Sequence, residues 1–309
     1  MKKVTKGKQN SKIYWNELME MFLNFKKAEG RAKSTIDGYI KILSILKSRY
    51  PDVLDNPVNA VRSHFATLEN PNSYNIHFAY IKVFFDWCIR EDFLSCTHPL
   101  VGLKKRKAVG RIVHIENKTL EELLKLPNKN TFPGLRDYAL MLFSIDCGAR
   151  PGEALQLRKE DFNFPAMLVT IPASIAKTRQ PRTIPISYQT IRVSQSLLET
   201  HHPNWKNSTV FCSEDGSIYA ENSWGQRLKS YSKKLGTKIT PYFLRHAAAL
   251  GMLRAGMSVF ALKDMLGHSD LSMTQKYLAL TLDDLRREHA KSSLINVVAP
   301  KKIRVRNLQ

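Results

Sequence analysis

The stretch "LGHSDLSMTQKYLAL", residues 266–280, sets Tyr277 nine residues after His268. A tyrosine hydroxyl, with a reference pKa of about 10, is a poor nucleophile at neutral pH. It attacks a phosphodiester only where cationic neighbours stabilise the charge that develops there. The chain supplies such neighbours upstream: Arg150 in "CGARPGEALQL" (147–157) and Arg245 in "TPYFLRHAAALGMLRAG" (240–256). The three stretches together make covalent DNA cutting the leading reading.

Composition is compatible with that chemistry. The 309 residues carry 43% hydrophobic side chains, enough for sizeable cores, and the length suggests two domains. A net charge of +21 favours a polyanionic partner, because lysines and arginines gain affinity by displacing counterions from phosphates. Charge alone fits membrane surfaces, ribosomal neighbours or simple solubility as well. Cys88, Cys96, Cys147 and Cys212 are scattered, forming neither a zinc-ligand pair nor a short disulfide framework, which suits reduced thiols in a cytosol. The basic start "MKKVTKGKQNSK" runs into "IYWNELMEMFLNFKKAEG", whose charges interrupt any signal-peptide core. No stretch approaches the roughly 20 apolar residues of a membrane span. A cytoplasmic protein without membrane insertion is expected, and no motif calls for a nucleotide cofactor or a catalytic metal.

Hydrophobic periodicity divides the chain. A basic segment, 1–12, precedes a helical region at 13–100. Residues 14–30 and 34–48 read as amphipathic helices, with Leu18, Met21, Phe22 and Phe25 on the first and Tyr39, Ile40, Ile42, Leu43 and Leu46 on the second. Ser34 is the expected N-cap of the second helix. A third helix begins before Val61 and a fourth follows "NPNS" (70–73), making one small bundle. The bundle ends near "CTHPLVGLKKRKAVGR" (96–111), so residues 101–111 read as a basic linker, either lying on a DNA backbone or serving as a solvated hinge. Beyond it, "TLEELLKL", "LRDYALMLFSIDCG" and "RPGEALQL" look helical. "LVTIPASIAKTRQPRTIPIS" (168–187) then places β-branched residues on both sides of a polar centre, predicting a small hairpin. Helices are expected again near 222–235, 242–254, 258–266 and 271–278. The predicted fold is mainly α with a small β-element, with the second domain at 112–290 and a tail at 291–309.

Five further side chains can serve the tyrosine. Arg150 follows a helix-closing glycine and precedes Pro151, so rigid elements hold a guanidinium able to donate two hydrogen bonds to phosphate oxygens. Glu153 either orients such cations or lies on a helix surface. Arg245 offers a second guanidinium, and two fixed arginines neutralise a pentavalent phosphorane better than one. Lys177, at the hairpin turn, can protonate a departing 5′ oxygen; Arg179 and Arg182 compete with it for DNA contact. His268 follows Gly267, which permits close approach, and can hydrogen-bond a phosphate or assist proton transfer. Tyr242, Tyr219 and Tyr277 can each be packing aromatics, and position singles out Tyr277.

The combination Arg150, Lys177, Arg245, His268 and Tyr277 resembles the tyrosine recombinase, or phage-type integrase, family over nearly the whole chain. The specific motifs are "GARPGEALQL", "PYFLRHAAALGML" and "LGHSDLSMTQKYL". The resemblance implies an N-terminal core-binding bundle and a catalytic domain forming a clamp on DNA. It assigns Arg150 and Arg245 to the scissile phosphate, Lys177 to the general acid, His268 to transition-state support and Tyr277 to attack. Cleavage would leave a 3′-phosphotyrosyl link and a free 5′ hydroxyl. One position departs from the family pattern: the motif before the second arginine usually begins with histidine, and here it begins with Tyr242, as in hairpin-forming telomere resolvases. Tyr242 is therefore expected to support the phosphate site.

The resemblance further implies double-stranded DNA with paired recombination half-sites, a homotetramer on that DNA, and room for an accessory directionality protein. The tail, with an apolar "SLINVV" patch and Lys301, Lys302, Arg304 and Arg306, either packs on a neighbouring protomer or binds DNA. No additional arm-binding domain is evident ahead of the first bundle. A type IB topoisomerase-like enzyme is the nearest alternative, and a nonenzymatic sequence-specific DNA-binding protein the next.

Overall fold

The computed structural model describes residues 14–108 and 116–275, with the isolated helical positions 289, 290, 292 and 295. It divides into two units, Met1–Val109 and Gly110–Gln309.

The first unit is four helices: α1 (Trp15–Ala28), α2 (Lys33–Arg49), α3 (Pro57–Ala66) and α4 (Pro71–Arg90). Prolines open α3 and α4, where the missing N–H costs nothing, and the Asn70 side chain caps α4 by accepting from the Asn72 and Ser73 amides. Their shared core is aromatic. Phe22 lies edge-on to Tyr39 and Phe84, with ring centroids 4.9 and 5.2 Å apart, and 5.4 Å from Trp87. Two expectations shift here. Ser34 is not the N-cap of α2, because the first turn closes two residues earlier on the Ala32 carbonyl, which accepts from the Thr35 and Ile36 amides. Met21 and Ile40, placed on apolar faces by periodicity, are 45% and 40% exposed.

The start of the basic segment after α4 is docked on the first unit. Leu100 is buried in its core and Leu103 packs against it. The Arg106 guanidinium sits 4.0 Å from the Tyr74 ring centroid, its amide donates to Asn75 Oδ1 at 2.8 Å, and Asn75 Nδ2 donates back to the Arg106 carbonyl at 2.8 Å. Arg106 therefore spends its charge and backbone on packing.

The second unit centres on α6 (Phe132–Cys147), which packs against α8 (Tyr188–Glu199) and α10 (Pro241–Arg254). Around it lie α5 (Asn117–Lys125), the short α7 (Pro151–Ala154), α9 (Glu221–Leu235), α11 (Val259–Leu266) and α12 (Leu271–Gln275). Helix α8 was not foreseen. Its buried positions are Thr190, Ile191, Ser194 and Leu197, so small polar residues on the inner face weaken the apolar period, although Ser187 caps the helix by accepting from the Thr190 amide. The expected hairpin is a three-stranded antiparallel sheet of β1 (Phe162–Asn163), β2 (Leu168–Ile171) and β3 (Arg182–Pro185) in the order β1-β2-β3. Val169 faces Ile184 across the β2–β3 ladder and both are buried. On the other face Thr170 and Thr183 exchange a 2.9 Å hydroxyl hydrogen bond. Among the described residues, no helix is long and apolar enough to cross a membrane.

Gly148 ends α6 in the left-handed region at φ 63°, donating its amide to the Ser144 carbonyl, and this reversal aims Arg150 back across the unit. A Cβ there would lie 2.8 Å from Leu266 Cδ2 at the end of α11. Gly148→Ala should lower stability by about 1–2 kcal/mol from backbone strain alone, read as a reduced denaturation midpoint for the full chain.

Candidate active site

Three elements bring the predicted cations to one turn. Arg150 is the residue before α7, Arg245 lies on the buried face of α10, and His268 follows Gly267, which closes α11 at φ 63°. All three are buried, at 7%, 3% and 8% exposure. Arg150 Nη2 donates to the Gly267 carbonyl at 2.9 Å, and Arg245 Nη2 donates to the neighbouring Leu266 carbonyl at 3.0 Å. Arg245 Nη1 also reaches the Gly148 carbonyl at 2.7 Å, tying the end of α6 to α10. Two guanidinium groups thus lean on consecutive carbonyls of a single turn.

The hydrogen bonds fix the state of His268. Its Nε2 lies 2.9 Å from Arg245 Nη2 and its Nδ1 lies 2.8 Å from Thr274 Oγ1. A guanidinium can only donate, so Nε2 accepts, the ring proton sits on Nδ1, and Nδ1–H donates to Thr274. His268 is therefore a neutral imidazole in this arrangement. Thr274 is fully buried on α12, so the same bond anchors the helix that leads towards Tyr277. Tyr277 itself lies outside the described residues, as do the 1–12 segment and most of the 291–309 tail.

Glu153 organises the cations. It is 2% exposed and so not a helix-surface residue. Its Oε1 accepts from Arg150 Nη1 at 3.0 Å and from the Lys177 amide at 3.1 Å. Its Oε2 accepts from Arg182 Nη2 at 2.5 Å and from the Arg150 amide at 3.4 Å. Burial opposes the charged form, yet the Arg182 hydrogen bond and charge, the Lys177 amide and Arg150 outweigh it and hold the carboxyl below its usual range. Arg182, a candidate for DNA contact near the hairpin turn, has a side chain that is 10% exposed and engaged with Glu153. Lys177 and Arg179 are exposed on the β2–β3 turn, and Arg179 adopts φ 55°. Lys177 is thus anchored to the site through its backbone, with an exposed side chain.

Tyr242 is 45% exposed in the first turn of α10, three residues before Arg245. Partial burial, followed by the negative charge of Glu221, raises its phenol above the ordinary value despite the opposing Arg245 and Arg150. Near neutral pH it is a proton-bearing hydroxyl and thus a donor. Tyr219, by contrast, is buried with the Arg136 guanidinium 3.7 Å from its ring centroid, a packing role.

Arg150 spends two of its five N–H donors on Glu153 and Gly267 among the described residues, leaving three for an anion. Preoriented guanidinium groups on a rigid turn are suited to a phosphate whose charge grows during reaction. Sequence reasoning understated Glu153 and passed over Thr274. The signal for the first was its place three residues after Arg150 on a short helix; for the second it was only a threonine within the tyrosine motif. No group of three or more histidine, cysteine, aspartate or glutamate side chains among the described residues is placed to hold a metal ion.

Known proteins resemble this chain over most of its length. The chain is 28% identical over 288 residues to tyrosine recombinase XerD of Listeria monocytogenes serovar 1/2a (strain ATCC BAA-679 / EGD-e), covering 86% of this chain and 95% of that protein. It is 26% identical over 296 residues to tyrosine recombinase XerA of Pyrococcus horikoshii (strain ATCC 700860 / DSM 12428 / JCM 9974 / NBRC 100139 / OT-3), covering 94% and 99%. Its fold is similar to that of the Tn1549 transposon integrase in complex with a circular intermediate DNA, with TM-score 0.70 and 18% identity over 89% of this chain and 99% of that one. A lambda integrase dimer bound to a COC′ core site gives TM-score 0.68 and 13% identity over 84% and 97%. Residues 114–283, which span every candidate side chain from Arg150 to Tyr277, match the phage integrase family profile. The chain belongs to the phage integrase family of tyrosine recombinases.

Proposed function

We propose that this protein is a site-specific DNA recombinase that cleaves and rejoins DNA through a 3′-phosphotyrosyl intermediate, in integration, excision or resolution. The observation that carries this reading is the pair of buried arginines fixed on the Leu266 and Gly267 carbonyls, which open the tyrosine motif. Arg150 and Arg245 hold the scissile phosphate. Tyr277 gives its phenolic proton to solvent water and attacks phosphorus, the bond to the 5′ oxygen breaks, and Lys177 protonates that oxygen as it leaves. The bond energy stays in the phosphotyrosyl ester, and a 5′ hydroxyl from another strand reverses the step.

His268 acts through Arg245, fixing the guanidinium that meets the phosphate, and Thr274 fixes His268 in turn. Tyr242 donates a hydrogen bond at the position where the family usually has histidine. The net charge of +21 supports a duplex partner held largely through its backbone. Paired half-sites, a homotetramer assembled on them, docking of the tail on a neighbouring protomer and an accessory directionality protein complete the proposal.

Nicked suicide duplexes, drawn from DNA flanking the gene and selected for binding, test these roles. Tyr277→Phe should bind as the unaltered protein does and form no covalent product. Arg150→Ala and Arg245→Ala should each slow cleavage by about 10²–10³-fold; unchanged rates would remove the phosphate assignment. Glu153→Ala leaves buried guanidinium charge uncompensated and should cost about 3–5 kcal/mol of stability, measured by denaturant unfolding. Tyr242→His replaces a phenol that stays protonated with an imidazole titrating near about 6.5. The variant-to-wild-type cleavage ratio should rise as pH falls through that value, because the imidazolium gains a donor and a charge. A ratio flat between pH 5.5 and 8 would place position 242 outside the phosphate site.

A further inference from the structure

Beside the arginine turn, the β2–β3 loop, β3 and the end of α11 enclose a cleft of about 250 Å³. Its walls include Thr178, Arg182, Lys263, His268, Ser269 and the carboxylate-bearing Asp264. Arg182 is unevenly satisfied. Nε donates to the Met265 carbonyl at 3.2 Å and Nη2 to Glu153, whereas Nη1 is buried without a hydrogen-bond partner among the described residues. A buried guanidinium nitrogen left without an acceptor is costly and calls for a reason. Glu153 cannot supply one, since both of its oxygens already serve Arg150, the Lys177 amide and Arg182 Nη2. Lys263, which also lines the cleft, has among the described residues a loose 3.8 Å ion pair with Asp264.

Two cations with unmet donor capacity, flanked by the Thr178 and Ser269 hydroxyls, form a receptor for a tetrahedral oxyanion. Gly267 locates that oxyanion. It lines the cleft, and its carbonyl on the same turn holds Arg150. Successive phosphates of one DNA strand are spaced about 3.4 Å along the helix axis, and the cleft shares Gly267 and His268 with the turn that holds Arg150 and Arg245. We propose that the cleft is a second phosphate subsite, in which Arg182 and Lys263 receive the phosphodiester adjacent to the scissile one on the cleaved strand. The inference rests on the recombinase reading and adds two positioning residues to it. Arg182 Nη1 is buried against Gly267, so engagement requires a local rearrangement of the cleft wall.

The test uses binding rather than cleavage. Duplexes bearing one neutral methylphosphonate at each successive position of the cleaved strand are titrated against wild type, Lys263→Gln and Arg182→Lys. In wild type, the methylphosphonate adjacent to the scissile position should weaken binding by about tenfold, the scale of one charge-assisted hydrogen bond. In Lys263→Gln, which leaves the Glu153 network untouched, the same replacement should cost less than about threefold, and the salt slope should fall by about 0.9. Equal penalties in wild type and Lys263→Gln at every position would overturn the subsite. Saturable binding of inorganic phosphate lost in Lys263→Gln, without coupling to any DNA position, would make it a free-oxyanion site and equally overturn the claim. Because affinity needs no tyrosine chemistry, this result stands apart from covalent adduct formation: a duplex that forms adduct yet shows no coupling removes the subsite alone.

Discussion

The arrangement depends on burying three guanidinium groups without dispersing them. Arg150, Arg182 and Arg245 carry three positive charges, and the one carboxylate hydrogen-bonded to the first two is Glu153. Desolvating such charges is expensive unless they gain good hydrogen bonds and opposing charge. The protein meets that cost with Glu153 and with backbone carbonyls at Gly148, Met265, Leu266 and Gly267. Carbonyl groups are dipoles without net charge, so they orient the guanidinium groups without cancelling their positive charge. The guanidinium donors are therefore already placed, an arrangement suited to an anion because it needs no reorganisation.

This requirement explains the form of the surrounding structure. Gly148 and Gly267 both take the left-handed conformation, the first turning the chain from α6 towards Arg150, the second exposing a carbonyl to it. A Cβ on Gly267 would lie 2.8 Å from Arg182 Nη1, so the guanidinium is stacked directly on the glycine. The sheet contributes through β3, which carries Arg182 and contacts α11. Through His268 and Thr274 the hydrogen-bonded chain passes from Arg245 into α12, the helix that precedes Tyr277 in the sequence.

Much of this was legible in residues. Arg150, Arg245 and His268 could be selected because each sits beside a backbone signal: a helix-ending glycine, a proline-started helix or a left-handed cap. The mainly helical fold followed from strong apolar periods such as Leu18, Phe22 and Tyr74, Phe78. Reading failed where physics is nonlocal. Glu153 looks like any helical glutamate until Arg182, 29 residues later, is folded onto it. Helix α8 hid because Thr190 and Ser194 occupy buried positions, and Arg106 looked like linker charge until it met Tyr74. The β2–β3 pairing was visible as β-branched flanks, but the two-residue β1 is too short to leave a pattern.

The account stands or falls on which atom becomes joined to DNA. The direct measurement is to trap the covalent product on a nicked suicide duplex without added metal, digest it, and locate the nucleotide-bearing peptide by mass spectrometry. The account predicts a 3′-phosphate esterified to Tyr277 and a free 5′ hydroxyl on the released strand. A linkage at Tyr242 or any other residue, a 5′-phosphoryl attachment, or no adduct on DNA that the protein binds specifically would contradict it.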